Sequence, residues 1–160
     1  IHDLDIAQWI MGARPTRVTA HGSALVDPAI GAAGDVDTAV ATLQYADGRL
    51  CVIRNSRRAA YGYDQRIEVL GAKGLLQADN VTETTVTRSG VDGVVSAKPV
   101  YFFLERYMRA YEAEWAQFVD AVQNGTPVPA TLDEGVAALA VADAATLSMQ
   151  TGETVDVPAI

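Results

Sequence analysis

VDTAVATLQYADGRLCVIRN, residues 36–55, decides how this chain folds. Two β-prone runs, Val36 to Tyr45 and Arg49 to Asn55, flank Ala46-Asp47-Gly48. Asp-Gly between such runs is among the strongest short signals for a hairpin, because glycine accepts the positive φ that a tight turn requires. An antiparallel pair is predicted. Within the first run Val36, Thr38, Val40 and Thr42 alternate with Ala39, Ala41, Leu43 and Tyr45, so neither face is strongly polar. Antiparallel sheets usually leave one face wet. A sheet apolar on both sides implies helices against one face and another subunit available to the other.

Working outward, Gln65 to Leu70 and Leu75 to Asp79 form a second pair around Gly71-Ala72-Lys73-Gly74. Thr82 to Arg88 reads as a further strand before a loose segment, Ser89 to Lys98. Towards the amino end Arg17 to Leu25 is β-prone, and Val26 to Gly34 is punctuated as a loop by Pro28, Gly31 and Gly34. Ile1 to Met11 carries an apolar stripe at helical spacing and exits at Gly12. After Pro99 the period changes again. Leu104, Tyr107, Tyr111, Trp115, Phe118 and Val122 share one helix face, which the spacing assigns to the core, and Asn124-Gly125 ends that helix. Thr131-Leu132-Asp133-Glu134 is a capping box that launches an alanine-rich helix through about Met149, stopped by Gly152. Thr154 to Val157 is a last strand. Helix, strands, then two helices is a segregated order. The expected class is α+β: an open, largely antiparallel sheet of about six strands, with helices packed on one face and the other face available for oligomerisation.

At 160 residues, 49% hydrophobic and 20% charged, the chain is expected to form one globular domain over residues 1–160. A net charge of −8, with Arg57-Arg58 the one adjacent basic pair, argues against binding nucleic acid or an anionic membrane surface. No apolar run approaches the roughly 18 residues that cross a bilayer. Cys51 has no intramolecular disulfide partner, which favours a reducing, cytoplasmic setting, and one cysteine with two histidines assembles no four-ligand zinc site. No strand-Gly-x-Gly-x-x-Gly-helix unit is present, so a dinucleotide fingerprint is absent. The chain opens directly into a helix without Met or leader and reads as a piece of a longer protein.

Two groups of residues could carry chemistry. His2 and Asp5 share a face of the first helix at a spacing of three, and an imidazole beside carboxylates can serve as a proton acceptor near neutral pH. Spacing alone equally suits a solvated histidine among acids that favour the helix dipole, and favours that plainer reading. The stretch Asn55-Ser56-Arg57-Arg58-Ala59-Ala60-Tyr61-Gly62-Tyr63-Asp64 gathers hydroxyls, guanidinium groups and a carboxylate at a strand end. Such a set suits a polyol, which needs both donors and acceptors, though an ordinary connection could look the same.

In this order the residues carry a resemblance. Ile1-His2-Asp3-Leu4-Asp5, Val26-Asp27-Pro28-Ala29-Ile30-Gly31, Asp35-Val36-Asp37-Thr38-Ala39, Asn55-Ser56-Arg57-Arg58, Tyr61-Gly62-Tyr63-Asp64 and Phe103-Leu104-Glu105-Arg106-Tyr107 with Ala110-Tyr111 resemble the carboxyl-terminal domain of the glucose-fructose oxidoreductase/inositol dehydrogenase/MocA family, its inositol subgroup in particular. The resemblance runs nearly end to end. It implies the substrate-binding and oligomerisation half of an NAD-dependent dehydrogenase that oxidises myo-inositol to its 2-keto product, or of a related sugar or polyol dehydrogenase. A noncatalytic oligomerisation module is the reading from a different class. By resemblance His2 is the catalytic base that takes the substrate hydroxyl proton, Tyr63 contacts the polyol, Asp64 orients that tyrosine or a sugar hydroxyl, and Tyr111 lies near the cofactor. The family also uses a lysine in a Glu-Lys-Pro motif, an aspartate four residues before the histidine, and a Rossmann half that holds NAD, all of which would lie ahead of Ile1. These 160 residues alone are therefore expected to be inactive.

Overall fold

The computed structural model describes all 160 residues. In chain order its elements are α1 (His2–Met11), β1 (Arg17–Ser23), α2 (Pro28–Ala32), β2 (Thr38–Gln44), β3 (Leu50–Ser56), β4 (Ile67–Gly71), β5 (Gly74–Ala78), β6 (Thr87–Gly90), β7 (Gly93–Ser96), α3 (Phe103–Asn124), α4 (Leu132–Thr151) and β8 (Val155–Asp156). They fall into two compact units, residues 1–58 with 128–160, and residues 59–127.

In the first unit the Asp47-Gly48 turn joins β2 to β3 as expected, with Gly48 at φ 87°. The sheet runs β3-β2-β1-β8, antiparallel throughout. The register aligns Val18 with Leu43 and Cys51, and Ala20 with Ala41 and Ile53. These side chains point to one face, where Ala7 of α1 and Val141 and Ala144 of α4 complete the core. Thr19, Thr42 and Val52 align on the opposite face, as do His21, Val40 and Arg54. No helix of this unit covers that side: Val52 is 65% exposed, and Val40 and Leu50 are exposed as well. The two-sided character read from residues 36–45 is thus a helix-covered face and an open, partly apolar one.

Small side chains let α4 sit close to β1. Ala137, Ala138, Ala144 and Ser148 are all buried. A Cβ placed on Gly22 would lie 2.6 Å from the Met149 sulfur and 2.9 Å from Val36 Cγ1, so a larger residue there would push those side chains aside. Because β8 pairs with β1 only at Arg17 and Val18, the amide of Ala20 has no strand beside it. The Ser148 hydroxyl takes that hydrogen bond at 2.9 Å and itself donates to the Glu153 carbonyl at 2.5 Å. A buried amide is satisfied by a side chain where the sheet runs out.

A second buried polar group organises the loop before β2. Asp37 is 4% exposed, and its carboxylate accepts from the amides of Leu25, Val26 and Asp27 at 2.8 to 2.9 Å and from the Thr38 hydroxyl at 2.9 Å. Burial alone would raise its pKa, but these donors outweigh burial and hold the group at about 2. Asp27, so fixed, caps the amide of Ala29, and Pro28 starts the helix; α2 thus forms inside the stretch expected to be loop.

The second unit differs more from expectation. Instead of one sheet of about six strands, the strands divide into the four-stranded sheet and two separate hairpins, β4-β5 and β6-β7. Each hairpin closes on itself through paired glycines, Gly71 with Gly74 and Gly90 with Gly93. Thr82 to Arg88 is not one strand. The Thr82 hydroxyl bonds the Thr84 carbonyl at 2.9 Å and the Thr84 hydroxyl accepts from Val86 N at 2.9 Å, so local side-chain bonds turn the backbone there. The ladder runs instead from Thr87 to Ser96, joining the end of that stretch to the segment read as loose. α3 has its expected span, but its aromatic stripe is not core: Trp115 is 67% exposed, Leu104, Tyr111, Phe118 and Val122 are also exposed, and Ala121 is the buried residue of the helix. Helical spacing identified an apolar face without specifying what covers it.

Two outcomes follow from the first unit. Ser148→Ala should leave the Ala20 amide buried and unpaired, lowering unfolding free energy by about 1–3 kcal/mol in urea titrations. The Asp37 carboxylate, depressed from 3.8 to about 2, contributes stability that is complete above about pH 4 and is lost as pH falls through about 2. Asp37→Asn should lower stability at neutral pH and flatten the stability profile across that acid window, measured by melts at stepped pH.

Candidate functional site

His2 is the first residue of α1, and Asp3 and Asp5 sit in the same turn. The acids are favoured there because the first amides of a helix lack intrahelical partners. Their roles separate. Asp3 accepts a 2.8 Å hydrogen bond from Asn55 Nδ2, tying α1 to the end of β3. His2 and Asp5 face a cleft of about 180 Å³, together with Thr131, Glu134 and Ala138 from the start of α4. The structure therefore brings His2 and Asp5 together, as their spacing implied, and adds Thr131 and Glu134, which the sequence showed only as a helix cap.

That cap is fully formed. Glu134 Oε2 accepts from the Thr131 amide at 2.7 Å and the Thr131 hydroxyl at 2.9 Å, and the Glu134 amide donates back to that hydroxyl at 3.3 Å. These bonds, the Thr131 amide first, hold the Glu134 carboxyl below its ordinary range, so it is charged. The cleft thus offers an exposed imidazole, an exposed carboxylate, and a carboxylate already engaged by its own helix. Such a set can accept a proton and orient a hydroxylated molecule.

The remaining candidates, Tyr63, Asp64 and Tyr111, belong to the second unit. Tyr63 is half-buried. Its ring stands edge-on to Tyr107 at 5.7 Å and 82°, and Tyr107 meets Tyr111 at 6.4 Å and 62°. These geometries suit the aromatic quadrupole. Two residues read separately, Tyr63 and Tyr111, are joined by a third, Tyr107, to which the sequence reading gave no site role. Asp64 is held from several sides: Arg66 donates through Nε at 2.7 Å and Nη2 at 2.9 Å, Asn80 Nδ2 at 2.8 Å, and the Tyr61 hydroxyl by a short bond. The Arg66 bonds lead in keeping this carboxyl well below its usual range, against the opposing effect of burial. The Asp-x-Arg spacing was visible in sequence; Asn80, sixteen residues away, gave no local signal.

No group of three or more His, Cys, Asp or Glu is placed to hold a metal ion, and no helix is long and apolar enough to cross a membrane. The chain also offers no cradle for a dinucleotide. Strand pairing is antiparallel, and no glycine turn leads from a strand into a phosphate-facing helix start.

Comparison with known proteins supplies the family. The description "Oxidoreductase family, C-terminal alpha/beta domain" matches residues 1–157. Myo-inositol 2-dehydrogenase of Thermotoga maritima is 50% identical over 150 residues, covering 94% of this chain and 45% of that protein. The crystal structure of a myo-inositol dehydrogenase from Corynebacterium glutamicum is similar with TM-score 0.91 and 40% identity, over 99% of this chain and 48% of that one. That of scyllo-inositol dehydrogenase from Lactobacillus casei, with bound cofactor NAD(H) and scyllo-inositol, is similar with TM-score 0.86 and 29% identity, over 98% and 46%. The chain spans a little under half the length of these relatives. It belongs to the glucose-fructose oxidoreductase/inositol dehydrogenase/MocA family, matching that family's carboxyl-terminal α/β domain.

Proposed function

We propose that the whole protein is an NAD-dependent inositol 2-dehydrogenase that oxidises myo-inositol to 2-keto-myo-inositol, with this chain as its substrate-binding and oligomerisation domain. The observation that carries the reading is the 50% identity to a myo-inositol 2-dehydrogenase across almost all of the chain, with His2 exposed on a cleft beside Asp5. A relative of the same domain holds NAD(H) and scyllo-inositol. Since no residue set here cradles a dinucleotide, NAD is assigned mainly to a domain outside these residues, with Tyr111 as a contact on its near side. When bound, that cofactor accepts the hydride.

His2 takes the proton from the reacting hydroxyl at an imidazole nitrogen, and Asp5 shares its face of the helix at the cleft. Tyr63 contacts the polyol, and the protein works in the cytoplasm. In the full-length enzyme His2→Ala should lower kcat by about 10²–10⁴-fold, followed as NADH absorbance with myo-inositol. Unchanged turnover would remove His2 from the mechanism. A panel of cyclitols and aldoses tests the substrate, since specificity among polyols rests on matched hydroxyl contacts.

Self-association has its own support in the open sheet face, where Val40, Leu50 and Val52 lie exposed opposite the face that α1 and α4 cover. A homodimer or tetramer formed through this face would bury them. Sedimentation at micromolar concentration should show an oligomer, and Val52→Lys should shift it to monomer with unchanged circular dichroism; a wild-type monomer contradicts the assignment.

A further inference from the structure

Resting on the reading of Tyr63 as a polyol contact, we infer that Asp64, Arg66 and Asn80 form a positioning network for Tyr63, and that Asp64 does not itself bind a substrate hydroxyl. The carboxylate has no acceptor capacity left. Oδ1 accepts from Arg66 Nε at 2.7 Å and Asn80 Nδ2 at 2.8 Å, and Oδ2 accepts from Arg66 Nη2 at 2.9 Å and the Tyr61 hydroxyl. A carboxylate has about four lone-pair sites, and here all are taken by the protein. A sugar hydroxyl could bond Asp64 only by displacing one of these charge-assisted partners from a side chain that is 19% exposed.

The same bonds fix the backbone on both sides of Tyr63. The Tyr61 hydroxyl reaches over Gly62 and Tyr63 to Asp64, closing a small loop around them. Asn80 grips the chain twice, through Nδ2 to Asp64 and through Oδ1, which accepts from Gln65 N at 2.7 Å. Opposite, the Tyr63 amide donates to the Val100 carbonyl at 2.8 Å. Gly62, at φ 137°, lies so close to Pro99 that a Cβ would come within 2.7 Å of the Pro99 carbonyl oxygen. Held along its backbone and packed edge-on to Tyr107, the Tyr63 ring has little freedom to lose when a ligand arrives. Preorganisation of this kind appears in affinity through a group that never meets the ligand.

A double-mutant cycle in the full-length enzyme tests the assignment. Asp64→Asn should raise KM for myo-inositol about tenfold and lower the melting temperature, as loss of a charged fastener must, while leaving KM for NAD nearly unchanged. Combined with Tyr63→Phe, it should add nothing to the defect of Tyr63→Phe alone. Arg66→Lys, which keeps the charge and loses the fork, should reproduce the defect. Full additivity of Asp64→Asn and Tyr63→Phe would overturn the network while leaving Tyr63 in the pocket. An unchanged KM in Tyr63→Phe would overturn the pocket reading and the network with it. Parallel loss of kcat and both KM values would reduce Asp64 to a structural residue and also overturn the proposal. Should Asp64→Asn be insoluble, Asn80→Ala runs the same cycle from the far side of the carboxylate, with the same outcomes.

Discussion

The hydroxyl of Ser148 stands where a neighbouring strand is missing. With β8 paired to β1 at only two positions, Ala20 would bury an unbonded amide, and Ser148 supplies the acceptor from a helix. This one bond requires α4 to lie against β1 more closely than large side chains permit. The alanines at 137, 138 and 144 and the glycine at 22 answer that requirement, and the core of the first unit is thin because of it. Val18, Leu43 and Val141 then supply the apolar burial.

Carboxylates divide into two kinds in this chain, and the division bears on function. Asp37 and Asp64 are ringed by donors and charged at any ordinary pH; each fixes the loop around it. Asp5, beside His2, is exposed. Low-dielectric surroundings make a satisfied buried acid a strong fastener and an unsatisfied one untenable. Saturation of the lone pairs, more than location in a polar loop, separates the supporting acids from those able to meet a ligand.

Much of this was legible from residues alone. The Asp47-Gly48 hairpin, the glycine stops at 12, 125 and 152, and the Thr131–Glu134 cap all rest on local chemistry, and each formed where local chemistry placed it. Local signals failed where distant partners decide. Nothing near Asp37 announces that it will bind three amides ten to twelve residues back. Thr82 and Thr84 are good strand formers that spend their hydroxyls on turns. The stripe on α3 has the right period for burial and remains open. In the candidate site, spacing brought His2 to Asp5, but the opposite wall came from a helix start some 130 positions later, beyond any local window.

That wall carries a constraint on how the pocket can change. Thr131 and Glu134 line the space beside His2, and the same atoms close the first turn of α4. A substitution that reshapes this side of the cleft for a bulkier or differently charged guest also loosens the helix whose far end secures Ser148 against β1. Natural drift or laboratory redesign should therefore find the α1 side of the cleft more permissive, and variants on the α4 side should survive chiefly in backgrounds stabilised elsewhere.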